Sequence, residues 1–281
     1  MELPEVEVMR RDLEKDVVGR RIGKVDVRPQ KNALTIIKKH HRTRKEFAGL
    51  LEGRKITGIE RRGKYLLVKL DDDSVLVVHF KMSGRFVRGR KGSELQPHTH
   101  VHIEFAQGGD LRFVDPRAFG RMFVAPADKL ETMAELQKIG IDPLEHTFTW
   151  PEFSAKLAER RMKLKPLLMD QEFIAGLGNI YSDEVLFAAG LRHDRKSDEL
   201  SSQEVRRLYR AIQEVVQDAI RFRGTTLEDQ AYVDLFGNPG ENLRELKVYG
   251  RRGQACRRCR SPIEMVKISG RGSYFCPVCQ T

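Results

Sequence analysis

Four cysteines close to the end of the chain constrain its fold more than any other feature. They form Cys256-x-x-Cys259 and Cys276-x-x-Cys279, separated by sixteen residues, and the 281-residue chain has no other cysteine. Two such pairs can supply four thiolates to one tetrahedral metal ion. Two disulfides are the alternative, but disulfides are typical of secreted chains, and the N-terminal sequence lacks a signal-peptide apolar stretch. The pattern predicts one structural zinc ion with all four coordination positions closed.

The charge of the chain indicates a polyanionic partner. Lys and Arg number 51 against 40 Asp and Glu, which gives a formal net charge of +11. From residue 244 to the end there are nine Lys and Arg and only two Glu. Clustered cations favour nucleic acid because neutralised phosphates release counterions. A solvated basic surface is the alternative that charge alone leaves open.

The apolar residues of the chain do not indicate a membrane partner. No apolar run approaches the roughly 18 residues that a membrane span needs. We therefore expect a cytoplasmic or nucleoid-associated protein with no membrane partner, and we also expect a monomer.

The first half of the chain begins with a helical pattern and continues with a strand pattern. Pro4 suits a first helical turn and Gly19 can end the helix. From Gly23 to about Ala125 the apolar period changes to two, which predicts a β-sandwich or barrel. The apolar stripe of the helix is Val6, Met9, Leu13 and Val17, and the predicted strands are 24–27, 55–60, 65–70, 74–80, 100–105, 111–114 and 121–124.

The second half changes to a helical pattern after residue 143. Ser201-Ser-Gln-Glu204 is a capping box that precedes a long amphipathic run. Residues 224–242 have weak periodicity and predict a long loop, which is more often functional than idle. The whole is an α+β multidomain chain. We predict an N-terminal domain at 1–130, a linker at 131–148, a helical domain at 149–224, a loop at 225–243 and a zinc finger at 244–281.

Six motifs are spread over essentially the whole chain. They are Met1-Glu-Leu-Pro-Glu-Val-Glu7, Arg62-Gly-Lys-Tyr-Leu66, His79 with Met82-Ser-Gly84, Asp115-Pro-Arg-Ala-Phe-Gly120, Gly176-Leu-Gly-Asn-Ile-Tyr181 and the cysteine finger. With these motifs in this order, the chain resembles the bacterial formamidopyrimidine-DNA glycosylase family. Glu-Leu-Pro-Glu at residues 2–5 favours the oxidised-purine branch over the related endonuclease VIII branch, in which Glu-Gly-Pro-Glu is usual.

The resemblance implies a base-excision repair enzyme that is both a glycosylase and a lyase. Its fold would combine a β-sandwich domain carrying an N-terminal helix, a helix–two-turns–helix domain and the zinc finger. Its partner would be double-stranded DNA containing 8-oxoguanine, a formamidopyrimidine or an abasic site, with the damaged nucleotide flipped out of the helix. The loop at 225–243 would close over the flipped base.

The resemblance also assigns catalytic roles. The amine of Met1 would attack C1′ of the sugar and form a Schiff base, and an α-amine pKa of about 7.7–8.0 leaves a neutral fraction near pH 7.5. Glu2 would act as general acid and base in opening the sugar ring. An acid at a helix N-terminus is also common for helix-dipole reasons, which is the structural alternative. Lys64, in a predicted β-turn, would assist β-elimination, and Arg271 in the finger would grip phosphates and assist δ-elimination.

Further residues are assigned to DNA binding by the same resemblance. Met82, Arg117 and Phe119 would fill the space left by the flipped base. Without the family, Met82 and Phe119 would be interpreted as core residues. Asn179 would bind phosphate in a glycine-rich turn at a helix N-terminus, as such turns allow close backbone approach. His98 and Lys165 would contact the DNA backbone, as would Arg160 or Arg161, although each of these four also fits a solvated surface residue.

The largest departure from the family is at the first residue, where Met1 occupies the position of the family's N-terminal proline. A primary amine can form an imine, but that imine must be protonated to activate C2′, whereas the iminium of proline carries a permanent charge. The sequence therefore also allows a catalytically weakened or silent homologue that binds lesions. Smaller departures are Lys81 for a usual glycine, Thr99 between two histidines and Ala118 for a usual basic residue.

Overall fold

Two units make up the fold of this computed structural model, which describes residues 1–28, 31–90, 92–268 and 270–281, with only the backbone at residues 31, 32 and 34. The first unit comprises residues 1, 3–137 and 222–241, and the second comprises residues 2, 138–221 and 242–281. The expected α+β organisation is confirmed. Across the described chain, no helix is both long enough and apolar enough to cross a bilayer.

The helices and strands alternate along the described chain as follows. The α-helices are α1 Leu3–Val17, α2 Lys31–Ile37, α3 Arg44–Leu51, α4 Ala134–Gln137, α5 Trp150–Ala158, α6 Leu164–Met169, α7 Asn179–Ala189 and α8 Ser202–Arg221. The strands are β1 Ile22–Val27, β2 Ile56–Arg62, β3 Tyr65–Leu70, β4 Ser74–His79, β5 Arg85–Gly89, β6 Thr99–Phe105, β7 Asp110–Val114, β8 Arg121–Pro126, β9 Glu264–Ile268 and β10 Arg271–Phe275.

The first unit is a sandwich of two four-stranded antiparallel sheets. Their strand orders are β1-β6-β7-β5 and β2-β3-β4-β8. Alternating apolar side chains of both sheets, such as Ile103 and Val78, enter one hydrophobic core. The apolar stripe of α1 joins the same core, because residues three and four apart lie on one helix face.

The second unit is helical apart from the two-stranded β9–β10 hairpin. The predicted capping box opens α8: the backbone N–H of Glu204 donates to the Ser201 hydroxyl at 3.3 Å, and the N–H of Ser201 donates to the Glu204 carboxylate at 2.8 Å. The buried face of α8 includes Leu208, Ile212 and Val216, as its period predicts. Helices α7 and α8 pack against each other.

The sequence predicted most strands of the sandwich but missed one strand and several short helices. The seven predicted strands correspond to seven observed ones within one or two residues at each end. β5 was missed because Arg85 and Arg88 interrupt its apolar alternation. The short helices α2 and α3 were missed as well. A signal for α3 existed, since Thr43 caps it by accepting from the N–H of Glu46.

Candidate functional site

The N-terminal amine is held in the first unit by the backbone of a tight turn. The amine of Met1 donates to the carbonyl oxygen of Lys81 at 2.8 Å, and the N–H of Lys81 donates to Nδ1 of His79 at 2.9 Å. Burial, together with the charges of Lys81, Lys64 and the amine itself, lowers the pKa of His79 to about 3. His79 is therefore neutral near pH 7 and carries its proton on Nε2. Two of the predicted catalytic groups, the Met1 amine and Lys64, thus surround a neutral histidine.

Lys64 lies in the two-residue turn between β2 and β3. Gly63, with φ of 51°, supplies the left-handed conformation that this hairpin requires, and Arg62 pairs with Tyr65 across it. The ring of Tyr65 packs edge-on against His79 with centroids 4.5 Å apart. The turn therefore sets Lys64 beside the same histidine.

A buried ion pair between Arg61 and Glu7 stabilises the turn that carries Lys64. Nε of Arg61 donates to the carboxylate of Glu7 at 3.1 Å, and Nη1 of Arg61 donates to the carbonyl oxygen of Gly63 at 3.0 Å. Both side chains are buried. Burial acts to raise the pKa of Glu7, but hydrogen bonds from Arg10 and Arg11 and the nearby arginine charges outweigh burial and hold that pKa below its usual value. The sequence analysis did not identify this support.

The predicted trio of inserting residues lies on two neighbouring loops of the first unit. Met82 is 57% exposed and Phe119 is 47% exposed, although both are large and apolar. The guanidinium of Arg117 is also exposed and lies 4.9 Å from the centroid of the Phe119 ring. Apolar side chains are seldom left in water without a reason when they cluster. Their exposure excludes the alternative that Met82 and Phe119 are core residues.

One buried carboxylate, that of Asp115, holds both loops. It accepts from the Ser83 hydroxyl at 2.6 Å, from the N–H of Arg117 at 3.2 Å and from the N–H of Gly120 at 2.8 Å. Asp115 is fully buried. A Cβ on Gly120 would lie 2.5 Å from the ring of Phe113, so only glycine fits this close approach. The loop conformations are therefore set by hydrogen bonds and not by the exposed side chains.

Glu2 is the anchor of a helix N-terminus in the second unit. Its carboxylate accepts from the N–H groups of Gly178, Ile180 and Tyr181 at 2.6, 2.9 and 3.3 Å. These groups open α7, where unpaired N–H groups attract an anion. A Cβ on Gly178 would lie 2.5 Å from Cδ of Glu2, which explains the glycine. The structural alternative for Glu2 was stabilisation of α1, the helix that it precedes, through the helix dipole. The three hydrogen bonds of its carboxylate instead join it to the N-terminus of α7.

Asn179 is the first residue of α7 and lies beside a tyrosine that sequence reasoning missed. Its Nδ2 is 3.5 Å from the hydroxyl of Tyr249, and its buried Oδ1 has no hydrogen-bond partner among the described residues. Glu184, which is also buried, accepts from the N–H groups of residues 247, 248 and 249 at 2.8, 2.9 and 2.8 Å. This three-bond clamp fixes the backbone at Tyr249. Burial of the Glu184 carboxyl raises its pKa.

Lys165 is placed differently from the expected backbone contact. It is 1% exposed, and its ammonium donates to the carboxylate of Asp183 at 2.6 Å and to the carbonyl oxygen of Gly272 at 3.2 Å. Asp183 also accepts from Ser273 and from the N–H of Tyr274. Burial raises the pKa of Asp183 to about 6. The pair thus holds the start of β10, where Arg271 is exposed to solvent.

His98 lies on the surface of the first unit, at some distance along the chain from the inserting loops. It is exposed, adopts a left-handed φ of 63° and lines an open cavity of about 470 Å³ with Arg28 and residues 94–99. Its carbonyl oxygen accepts from the N–H of Asp115 at 3.0 Å. The backbone of His98 is therefore tied to the residue that holds the Arg117 loop.

The four cysteines converge as their spacing predicts. Their Sγ atoms all lie within 4.8 Å of one another, and none forms a disulfide. The Cys256–Cys279 and Cys259–Cys276 sulfur distances are 3.9 and 3.4 Å. Zinc–sulfur bonds of about 2.3 Å in a tetrahedron place the sulfurs about 3.8 Å apart. The donor set therefore fits a structural zinc ion with no open position.

Comparison with known proteins identifies one family for all three parts of the chain that match a family model. Residues 1–122 match the formamidopyrimidine-DNA glycosylase N-terminal domain, residues 139–231 match the formamidopyrimidine-DNA glycosylase H2TH domain, and residues 253–281 match a zinc finger found in FPG and IleRS. The formamidopyrimidine-DNA glycosylase of Moorella thermoacetica is 44% identical over 266 residues, which is 95% of this chain and 94% of that protein. The one from Pelotomaculum thermopropionicum is 40% identical over 279 residues, with 99% and 98% covered.

Solved structures give the same result at the level of the fold. The Lactococcus lactis Fpg in complex with DNA containing an abasic site superimposes with a TM-score of 0.90 at 35% identity, covering 100% of this chain and 99% of that one. The MutM (Fpg) protein from Thermus thermophilus superimposes with a TM-score of 0.88 at 39% identity, covering 100% and 98%.

Proposed function

Because the chain belongs to the formamidopyrimidine-DNA glycosylase family, we propose that it excises oxidised purines from DNA and then cleaves the abasic strand. The observation that carries this proposal is the placement of the Met1 amine. It is fixed on the carbonyl oxygen of Lys81, next to a neutral His79 and the exposed side chain of Met82. An amine held in this way is a nucleophile beside a residue that can enter the DNA stack.

The amine begins the reaction. Its nitrogen forms a bond to C1′ while the glycosidic bond breaks, and the oxidised base leaves with the bonding electrons and a proton. Glu2 protonates O4′ as the sugar ring opens, which produces a Schiff base. Loss of a C2′ proton expels the 3′ phosphate, and a second elimination expels the 5′ phosphate. Lys64 assists the first elimination and Arg271 the second, since each can pair with the departing phosphate.

The inserting trio keeps the DNA open during this reaction. Met82 and Phe119 fill the space of the flipped nucleotide, and Arg117 hydrogen-bonds the unpaired partner base. Support comes from their exposure and from the rigid support of their loops by Asp115. Unstacking a base step costs a few kcal/mol, so the residues that replace the lost contacts must be held in place beforehand.

The second unit supplies phosphate contacts. Asn179 and the finger hairpin that carries Arg271 bind the backbone of double-stranded DNA, and His98 of the first unit adds a further contact. Lys165 supports the finger hairpin from its buried position instead of touching DNA. The zinc ion, when bound, supplies only the shape of the finger. We place the protein in the cytoplasm with the nucleoid, as a monomer.

The second candidate function is a DNA-binding homologue with weak or no catalysis. The observation that favours it is Met1 itself, because a primary amine with a bulky side chain stands where the family has proline. Every other group of the proposed chemistry is retained.

Strand cleavage tests the proposal directly. On a duplex with one 8-oxoguanine opposite cytosine, the protein should release the base and leave phosphate at both ends of a one-nucleotide gap. Glu2→Gln should bind the duplex but cleave it far more slowly, because Gln cannot donate a proton. Gel analysis of the end-labelled strand reports both steps. Duplex binding without base release by the unaltered protein would refute catalysis and favour the second candidate.

A further inference from the structure

The backbone conformation of Lys81 favours glycine over lysine. The residue adopts a left-handed φ of 55°, which is strained for any residue with a Cβ and is free of strain for glycine. Its side chain is exposed. Both backbone groups are used, the N–H on His79 and the carbonyl oxygen on the Met1 amine. A glycine would make both bonds in the same conformation, so the turn itself does not require lysine.

The charges around Lys81 also disfavour a charged ammonium group at this position. The charged neighbours that affect it are Arg121 and Lys39, and both are cations. Partial desolvation and these two charges lower the pKa of Lys81. Lys39 is itself paired with Glu135. His79 adds no charge at Lys81 because its side chain is neutral.

Arg121 is fixed on the same side of the first unit. It opens β8 directly opposite His79 in the register of the sheet, and His79 lies two residues before Lys81. Its Nη1 donates to the carbonyl oxygens of Phe119 and Gly120 at 2.9 and 2.7 Å. A guanidinium has five N–H donors, so others stay available for an anion. Arg121 and Lys81 are therefore neighbouring cations, and Lys81, in its strained conformation, directly precedes the exposed Met82.

We propose that Lys81 and Arg121 form a phosphate-binding site for the DNA backbone directly beside the Met82 side chain. A phosphate would offset the repulsion between the two cations and justify the strained lysine. This site rests on the proposed function, because it needs DNA on this face. It adds a backbone contact that is independent of the amine and of the groups assigned to elimination.

The salt dependence of DNA binding tests the site. The probe is a duplex with a tetrahydrofuran abasic-site analogue, which cannot be cleaved, so only binding is read. Lys81→Gln should reduce the slope of log K against log [salt] by about 0.9, the value for one phosphate contact, and Lys81→Arg should keep the slope. Lys24→Gln is the matched control, since Lys24 is exposed on β1 in the other sheet. It should leave the slope unchanged.

Lys81→Gly separates a binding role from a structural one. Because glycine relieves both the strain and the cation repulsion, the melting temperature should rise while DNA affinity falls with the same slope change as Lys81→Gln. Slopes equal to that of the unaltered protein in both Lys81→Gln and Lys81→Gly would overturn this site and leave the proposed function intact. Absence of salt-dependent binding of the duplex by the unaltered protein would overturn both the Lys81–Arg121 site and the proposed function.

Discussion

The loops that carry Met82 and Arg117 and the hairpin that carries Arg271 are held in place by different means. In the first unit a single buried carboxylate, Asp115, accepts three hydrogen bonds from two loops. In the second unit the hairpin is held by four metal-binding cysteines and by the buried Lys165–Asp183 pair. In both units an exposed arginine, Arg117 or Arg271, lies on a backbone that is held in place.

The difference follows from the amount of core behind each element. The sandwich loops connect strands that pack on a large apolar core, to which both sheets and α1 contribute. Around the cysteines, the buried cluster contains only Phe187, Val248 and Ile263 besides Cys256 and Cys276 among the described residues. So small a core cannot order a hairpin alone, and a metal supplies the missing free energy. Hydrogen bonds suffice where a core already exists.

Loss of the metal should produce the largest effect. Cys276→Ser should abolish zinc binding because it removes one of the four thiolates. The finger should then lose its fold, since structural zinc contributes about 10 kcal/mol or more to the folding of such modules. DNA affinity should fall by at least a hundredfold while the sandwich keeps its thermal transition. Zinc content by a colorimetric chelator, circular dichroism melting and duplex binding measure the three quantities. Val266→Thr, at an exposed position of β9 in the same hairpin but outside the metal site, is the control. Full DNA affinity in metal-free protein would contradict the comparison.

Breaking the buried pair should produce the next largest effect. Asp183→Asn leaves the Lys165 ammonium buried without its counter-charge, which should cost about 3–5 kcal/mol of unfolding free energy. Replacing both residues, as Lys165→Met with Asp183→Leu, should recover most of that stability. The second elimination step should stay slow in the double variant, because the bond to the Gly272 carbonyl is also lost. Recovery of both stability and cleavage would show that the pair does not position Arg271.

A smaller effect is expected at Asp115. In Asp115→Asn one acceptor oxygen becomes an N–H₂ group that faces backbone or hydroxyl donors, which should cost about 1–3 kcal/mol. Processing of a paired 8-oxoguanine duplex should fall more than binding to an abasic duplex, since base opening needs the fixed loops. Chemical denaturation and single-turnover kinetics test the two parts. Equal losses on both duplexes would mean that the loops do not need this carboxylate for insertion.

The smallest effect concerns pH and the Glu7–Arg61 pair behind the Lys64 turn. Because the pKa of Glu7 is lower in the folded protein than in the unfolded chain, its ionised form stabilises the fold. This contribution is complete above the unfolded value near 4.5 and is lost as pH falls through the lower folded pKa. Glu7→Gln should therefore be less stable than the unaltered protein at pH 7 and nearly equal to it in strong acid. A constant difference at all pH values would assign the stability to packing instead.

Sequence reasoning predicted the residues that have a local or a chemical signature. The cysteine spacing indicated the metal site, the apolar period indicated α1 and α8, and the Gly63–Lys64 turn was recognisable from its residues. The supports of the site were not recognisable. Asp183 contacts residues about 90 positions away, and no local pattern reports such a partner. Lys165 was predicted to contact the DNA backbone, with a solvated surface lysine as the alternative, because its sequence neighbours say nothing about burial.

The central claim is that the amine of Met1 becomes covalently bound to DNA. Borohydride reduction of the protein with an 8-oxoguanine duplex, followed by mass spectrometry of the intact N-terminus, measures this most directly. If Met1 is the mature terminus, we expect a weak trapped complex, and placing proline before Glu2 should increase trapping by about a hundredfold, since displacement of a reacting atom by about 1 Å can cost that factor. A proline version that binds the duplex but is not trapped would contradict the account.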